Sequence, residues 1–183
     1  MPPLILPQSY FLKPATLLAP DLLGKLLCRK REDGSILRRR ILETECYFGE
    51  EDTACHAHRG KTPRTEVLYR EGGVSYVYLC YGIHNLLNVV TGNAGHPEAV
   101  LIRAVEGALG PGRVTKVLGI ARLDNALPLS PESGIWLEDD GERTPPYEAL
   151  PRVGIDYASK EDRERLWRFL AKPEEKRGNG EWQ

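Results

Sequence analysis

Apolar residues recur at helical spacing near the beginning of the chain and alternate with polar residues over much of the remainder. A stripe of leucines between positions 17 and 26 predicts a helix over residues 14–25. Two further helices are predicted over residues 110–120 and 160–170. Runs rich in β-branched and aromatic residues between turn residues predict strands. These strands cover residues 26–30, 35–48, 74–81, 86–91, 99–105 and 135–138.

The turns between these elements indicate how the strands pair. Glu32-Asp33-Gly34 joins two strands as a hairpin, and Gly82 lies where a second, protruding hairpin should turn. We therefore expect an α+β fold with a curved, mostly antiparallel sheet and flanking helices. Residues 128–146 are rich in proline and acidic side chains, and they are expected to form a surface loop around the short strand.

The chain has 183 residues, which fits one domain with a sizeable core. We expect flexible ends at residues 1–7 and 172–183. No apolar run approaches the roughly 18 residues of a membrane span, and the N-terminal segment lacks the features of a signal peptide. The cysteines show no Cys-x-x-Cys spacing and are expected to be reduced thiols of a cytoplasmic protein. They are Cys28, Cys46, Cys55 and Cys80.

The net charge of −1 does not by itself indicate a nucleic-acid partner. A basic cluster around the first predicted hairpin offers a local positive face, or it is simply the solvated surface of that hairpin. Charge alone favours the solvated surface, because a basic run without a groove or motif is weak evidence. The cluster consists of Arg29, Lys30, Arg31, Arg38, Arg39 and Arg40.

The most informative stretch runs from residue 42 to residue 64. As a strand, its beginning places Glu43, Glu45 and Tyr47 on one face. Carboxylates are uncommon in strands, and a loop rich in histidine and arginine comes directly after this strand. A carboxylate and an aromatic ring on one face, beside such a loop, indicate a pocket for a flat, electron-poor ligand.

A tyrosine-rich strand gives the second signal. Tyr76 and Tyr78 share a face, whereas Tyr81 has the opposite parity and precedes Gly82, so Tyr81 should project near the hairpin tip. The alternative is a strand whose tyrosines pack a core, which is common. This segment alone favours the core interpretation.

Two polar residues interrupt apolar strands. Arg103 comes after an apolar run, and a buried arginine needs a charged partner or must reach a phosphate. A structural salt bridge with Glu43 or Glu106 and a functional role are both open for Arg103. Asn88 is either functional or a core amide with satisfied hydrogen bonds.

Other kinds of site find little support. Cys55, His56 and His58 match no standard zinc spacing, so we predict no metal site. Phosphate-binding loops, nucleophile elbows and dinucleotide fingerprints are missing from the sequence. A Cys55–His56 nucleophile pair stays open, although adjacent residues rarely face each other.

In their order and spacing, these signals together resemble the alkyladenine (3-methyladenine, N-methylpurine) DNA glycosylase family. The resemblance covers about residues 8–170 and is highly specific in combination. The matching segments are Leu22-Leu23-Gly24-Lys25, Glu43-Thr44-Glu45-Cys46-Tyr47-Phe48-Gly49, Asp52-Thr53-Ala54-Cys55-His56, Lys61-Thr62-Pro63-Arg64, Tyr76-Val77-Tyr78-Leu79-Cys80-Tyr81-Gly82, Asn88, Leu101-Ile102-Arg103-Ala104, Gly110-Pro111-Gly112 and Arg152-Val153-Gly154-Ile155.

The resemblance implies a base-excision repair enzyme that hydrolyses the N-glycosidic bond of alkylated or deaminated purines in double-stranded DNA and leaves an abasic site. Glu45 would be the general base that activates water, and Arg103 would help to position that water. An alkylated purine is already cationic and leaves readily, so one carboxylate can suffice. No metal or organic cofactor is implied. No lysine lies in the pocket strands, so we expect simple hydrolysis rather than Schiff-base chemistry.

The resemblance also implies how the base is recognised. Tyr47 and His56 would sandwich a flipped base, and Tyr78 would close the pocket. Asn88 would crowd the exocyclic amine of guanine and so disfavour the normal base. Tyr81 would wedge into the minor groove and fill the gap that the flipped nucleotide leaves.

Two other classes of protein remain alternatives. A damage-recognition module would bind distorted DNA without cleaving it, and Glu45 and Arg103 argue against that. A hydrolase of free nucleosides would need no wedge, and Tyr81 argues against that. We expect the protein to act as a monomer, without a membrane partner, and to be associated with the nucleoid if its source is bacterial.

Overall fold

Ten strands form one sheet in the computed structural model, which describes residues 2–172. Three α-helices accompany the sheet, at Ala15–Asp21 (α1), Pro111–Leu118 (α2) and Lys160–Glu164 (α3). The strands are β1 (Leu4–Ile5), β2 (Leu26–Lys30), β3 (Ile36–Phe48), β4 (Ser75–Cys80), β5 (His84–Val90), β6 (Glu98–Val105), β7 (Ala108–Leu109), β8 (Ile135–Asp139), β9 (Tyr147–Leu150) and β10 (Arg168–Ala171).

All strand pairings of the described residues are antiparallel. The main path through the sheet is β1-β8-β2-β3-β6-β5-β4. Beside this path, β7 pairs with β6, β10 pairs with β3, and β9 pairs with β10. Strand β3 lies in the middle of this path and pairs with three strands, β2, β6 and β10.

Near its middle, strand β3 changes the strands with which it pairs and the face of the sheet to which a given set of alternate side chains points. Its first half pairs with β2, and its second half pairs with β6 and β10. Register shifts on either side of Glu43 mark a bulge. A bulge inserts an extra residue and so reverses which alternate side chains point to a given face. Ile41 lies in the core before the bulge, and Thr44 and Cys46 lie on the same side after it.

Helices α1 and α2 cover one face of the sheet. Helix α1 packs against β3 and β6, and α2 packs against β5 and β6. Because side chains alternate along a strand, every second residue of these strands joins the helices in the core. The core pairs on the sheet are Leu87 and Val89 in β5 and Val100 and Ile102 in β6. The intervening residues face away from both helices.

The structure confirms the α+β class, the mostly antiparallel sheet and both hairpins. The first helix is shorter than predicted and ends at Asp21. Gly24 has a φ of 84°, which lies outside the helical region. A Cβ atom at Gly24 would also lie 2.9 Å from Cδ of Pro145, so only glycine fits the close approach of these two segments.

The helix predicted over residues 160–170 is wrong beyond its first turn. Ser159 accepts a hydrogen bond from the Asp162 N–H as an N-cap, and α3 ends at Glu164. The next segment becomes β10, because it fits between β3 and β9 and pairs with both. Tertiary pairing here overrides the local helical pattern. Strand β9 was not predicted.

The short strand predicted at residues 135–138 is confirmed as Ile135–Asp139, which pairs with both β1 and β2 and is mostly buried. Leu4–Ile5 forms β1 and Leu6 is buried, so the described part of the expected flexible N-terminal end is ordered. The expected flexible tail lies outside the described residues, apart from Lys172. No helix within residues 2–172 is long and apolar enough to cross a membrane.

We predict that Phe169→Ala lowers the free energy of unfolding by about 3–5 kcal/mol, because truncating a buried aromatic residue leaves a cavity. Phe169 is 8% exposed and its ring packs edge-on against Tyr147. Leu166→Ala is the control, since Leu166 is 54% exposed, and it should change stability by about 0.5 kcal/mol or less. Chemical denaturation measures both. Equal small effects would contradict the placement of β10 in the sheet.

Candidate active site

A cavity of about 610 Å³ opens on the sheet face that the two helices leave uncovered. Strands β4, β5 and β6 contribute the side chains that alternate with their core residues. The end of β3, the 3₁₀ turn at His56–Arg59 and the segment after Arg152 complete the wall. The predicted site residues among the lining are Tyr47, His56, Tyr78, Tyr81, Asn88 and Arg103.

Glu45 lies directly behind the cavity wall and is fully buried. The Tyr47 hydroxyl donates a hydrogen bond of 2.8 Å to Oε2, and the Val153 N–H donates one of 2.8 Å to Oε1. Burial raises the pKa of Glu45, and the nearby Arg103 guanidinium, the Val153 N–H and the Tyr47 hydroxyl oppose that rise. The carboxylate is therefore both desolvated and held by two hydrogen bonds.

Arg103 lies between two carboxylates. Its Nε is 3.3 Å from Oε1 of Glu43, and one terminal nitrogen is 3.4 Å from Oε1 of Glu45. Glu43 is also 3.2 Å from Arg168 of β10. The salt bridge with Glu43 is thus present, whereas Glu106 lies near Arg40. Arg103 also lines the cavity. It therefore forms a salt bridge and at the same time lies within reach of a ligand in the cavity.

The aromatic wall is built around His56. Its ring centroid is 4.5 Å from that of Tyr78, with the planes at 73°. Its Nδ1 is 3.0 Å from the Tyr76 hydroxyl, which is itself part of the lining. Tyr47 lines the cavity as well, and the Arg152 guanidinium lies 4.9 Å from its ring centroid. The cavity therefore offers several aromatic surfaces to a flat ligand.

His56 is poorly suited to carry a positive charge. Desolvation by the surrounding side chains, together with the positive charge of Arg64, lowers the pKa of His56 to about 4. The ring keeps an exposed face toward the open cavity, where solvent weakens both causes. The direction of the shift means that the imidazole is neutral at pH 7.

Asn88 is buried in β5 and lines the cavity. Its side-chain nitrogen donates a 3.2 Å hydrogen bond to the Tyr76 carbonyl of the neighbouring strand. The structure therefore supports the interpretation of a core amide with a satisfied donor. The position at the cavity wall leaves a role in ligand selection open.

Tyr81 projects from the tip of the β4–β5 hairpin and is 86% exposed. The Ile83 N–H bonds to the Cys80 carbonyl, and Tyr81 and Gly82 have φ of 51° and 68°. Positive φ at both central residues is the signature of a type I′ hairpin turn, and it is uncommon for a tyrosine. Ile83, at 72% exposure, stands beside Tyr81. The tip is therefore an exposed apolar projection at the edge of the cavity.

Three of the six residues in the basic cluster of the first hairpin form ion pairs. Arg29 pairs with Asp124, and Arg40 pairs with Asp140. Arg38 makes two hydrogen bonds to Glu138. These pairs favour the interpretation of a solvated hairpin.

The structure also describes the surroundings of the Cys55–His56 pair and of the residues considered for a metal site. Burial raises the pKa of the Cys55 thiol to about 12, so the thiolate is disfavoured. His56 is directed to Tyr76, and His58 Nδ1 is 2.6 Å from the Glu50 carbonyl. Among residues 2–172, no three His, Cys, Asp or Glu side chains are grouped so that they could hold a metal ion.

The segment that encloses the site from behind was not predicted to do so. Arg152 is fully buried and forms two hydrogen bonds with Asp52, of 2.6 and 2.9 Å. Its neighbour Val153 donates its N–H to Glu45. Both residues belong to a segment that carries the family resemblance, but nothing in the sequence shows which distant residues they contact.

Comparison with known sequences identifies the family of this chain. A model of the methylpurine-DNA glycosylase family matches residues 9–108 and 105–175. A relative in Psychrobacter cryohalolentis is 45% identical over 195 residues, covering 91% of each chain. A relative in Methanocella arvoryzae is 40% identical over 188 residues, covering 92% of each. A third, in Myxococcus xanthus, is 43% identical over 183 residues, covering 88% of this chain and 89% of its own.

These three relatives are assigned by name to the 3-methyladenine DNA glycosylases. The chain belongs to the methylpurine-DNA glycosylase family, and it is a DNA glycosylase of DNA repair. The resemblance found in the sequence is thereby confirmed. The roles of the individual site residues are a separate matter and depend on the geometry of the cavity and of Glu45.

We predict that the imidazole of His56 titrates below the ordinary histidine value of about 6.5 in the free protein. Arg64→Gln should raise the midpoint, because it removes a positive charge that disfavours protonation. Arg31→Gln, at the exposed first hairpin, is the control and should leave the midpoint unchanged. An NMR titration of the ring resonances measures all three. A midpoint at or above 6.5 in the wild-type protein would contradict the neutral imidazole.

Proposed function

We propose that the protein flips an alkylated or deaminated purine out of duplex DNA into the cavity and hydrolyses its N-glycosidic bond with water activated by Glu45. The product is an abasic site and a free base. The observation that carries the proposal is the arrangement of Glu45: a buried carboxylate with a raised pKa, held by Tyr47 and Val153, directly behind an aromatic cavity.

Glu45 can serve this reaction in two ways. A carboxylate with a raised pKa is a better proton acceptor near neutral pH, so it can take a proton from the attacking water. Its negative charge also stabilises the positive charge that develops on the sugar as the bond breaks. The contact with Arg103, at 3.4 Å, is looser than the two hydrogen bonds of 2.8 Å. We propose that the attacking water binds to Oε1 of Glu45 on the side that faces Arg103.

The aromatic wall supports selection of alkylated purines. The faces of Tyr47 and Tyr78 attract a cationic ring by about 0.5–2 kcal/mol. A neutral His56 adds a further surface without repelling that cation. Specificity for alkylated over normal purines would therefore come in part from the charge of the lesion itself.

Asn88 would act as a steric gate against guanine. It is buried in the cavity wall, so bulk at this position reduces the room for an exocyclic amine. Built-in clashes are one source of specificity. Asn88→Ser should raise the ratio of guanine-lesion to adenine-lesion release, and an unchanged ratio would leave Asn88 with a structural role alone.

The hairpin tip favours duplex DNA over free nucleosides as the substrate. Tyr81 and Ile83 are too exposed to belong to the core, and an apolar wedge offsets the cost of unstacking a base. Within residues 2–172, the cavity lining contains no lysine. We therefore propose hydrolysis alone, without cleavage of the DNA strand through a Schiff base.

We predict that Glu45→Gln abolishes base release while lesion binding is retained. Glutamine is nearly isosteric and can still accept the Val153 hydrogen bond, but it cannot take a proton from water. The single-turnover rate should fall by about 100-fold or more. Glu106→Gln is the control, since that side chain is 60% exposed on the β6–β7 turn. Near wild-type release by the Glu45 variant would refute the proposed mechanism.

We predict that Tyr81→Ala weakens binding to lesion duplexes by about 10-fold to 100-fold, the scale of one lost stacking contact. The melting temperature should barely change, because the side chain is exposed at the hairpin tip. Leu17→Ala is the control, since Leu17 is exposed on α1 at the other face of the sheet. Release from duplex DNA should fall more than release from single-stranded DNA. Equal losses on both substrates would show that Tyr81 is not a wedge.

A further inference from the structure

The ion pair between Arg152 and Asp52 is the most deeply buried one among the described residues. The two side chains are 0% and 1% exposed, and the guanidinium meets the carboxylate in a fork of two hydrogen bonds. Removing two charges from water is costly, and apolar residues of similar volume often give equal or greater stability. Nε of Arg152 moreover finds no partner among the described residues. The pair is therefore not an arrangement that stability alone explains.

Arg152 connects to both halves of the proposed chemistry. One terminal nitrogen donates a 2.9 Å hydrogen bond to the carbonyl of Cys46, the residue between Glu45 and Tyr47. The guanidinium also lies 4.9 Å from the Tyr47 ring centroid. The next residue, Val153, donates its N–H to Glu45. Arg152 and its neighbour thus contact the strand that carries Glu45, the Glu45 carboxylate itself and the ring of Tyr47.

Asp52 connects Arg152 to the loop that carries the other aromatic surface. Its two oxygens accept the backbone N–H groups of Phe48, at 3.1 Å, and Ala54, at 3.0 Å. This closes the turn after β3 and leads directly into the 3₁₀ turn of His56. A displacement of Asp52 would therefore move the strand end and the His56 loop together.

We propose that Arg152, oriented by Asp52, is a positioning residue for base release: it holds Tyr47 and, through Val153, the carboxylate of Glu45 in the reactive geometry. The proposal rests on the proposed function of Glu45. A group displaced by about 1 Å in an active site can cost on the order of 100-fold in rate. The loss should be larger in the chemical step than in DNA binding, because the exposed hairpin proposed to meet the DNA lies elsewhere.

The test replaces the pair by apolar residues in the double variant Asp52→Leu/Arg152→Met, which leaves no unpaired buried charge. The matched control is Arg38→Met/Glu138→Leu, which removes a two-bond ion pair between β3 and β8. Melting temperature, affinity for a lesion duplex and the single-turnover rate of base release are measured for each. We expect the Asp52/Arg152 variant to keep its fold and to lose about 10-fold or more in rate, with a smaller loss of affinity, and the control to keep its rate.

A folded Asp52/Arg152 variant with a wild-type release rate would overturn the proposal. Arg152→Lys provides a second test that does not depend on the double variant folding, since it keeps the charge beside Asp52 but loses the planar fork. Its rate should fall by more than its affinity, and an unchanged rate would again overturn the proposal. Glu45→Gln in the same assay separates the two claims. If Glu45→Gln releases base normally, the proposed function fails, whereas normal release by the Arg152 variants alone refutes only the positioning role.

Discussion

The bulge in β3 is the constraint on which the site depends. Before the bulge, odd-numbered residues such as Ile41 face the helices, and after it even-numbered residues such as Thr44 and Cys46 do. A regular strand would have put Glu45 on the same face as Ile41, inside an apolar core. One extra residue directs Glu45 and Tyr47 to the opposite face instead. There they meet the alternate side chains of β4, β5 and β6.

Burial then gives the carboxylate its chemistry. A buried, unpaired glutamate would simply become protonated, because desolvation disfavours the charged form. Here the Tyr47 hydroxyl, the Val153 N–H and the Arg103 guanidinium oppose desolvation without overcoming it, and the pKa of Glu45 stays raised. Two of these three partners come from β3 and β6, and the third comes from the segment after β9. The sheet and the distant segment are both needed to build one proton acceptor.

Much of the site could be predicted because it depends on local patterns. Strand parity put Glu45 and Tyr47 on one face, and the Gly82 turn put Tyr81 at a tip. The bulge could not be predicted, since the β3 sequence reads as an unbroken strand. Nor could the pairing of Arg152 with Asp52, which joins residues 100 positions apart. The local pattern predicts a helix where β10 forms. The strands that pair with β10 lie elsewhere in the chain, so the local sequence does not show their effect.

The pH dependence of single-turnover base release from a duplex with one 7-methylguanine tests the proposed mechanism most directly. The rate should rise with pH through an ionisation above the ordinary pKa of a glutamate, since the ionised carboxylate is the active form. Tyr47→Phe keeps the ring but removes a donor that stabilises this form, so the ionisation should move to higher pH. A rate that does not depend on pH in this range, or a profile that Tyr47→Phe leaves unchanged, would contradict the mechanism.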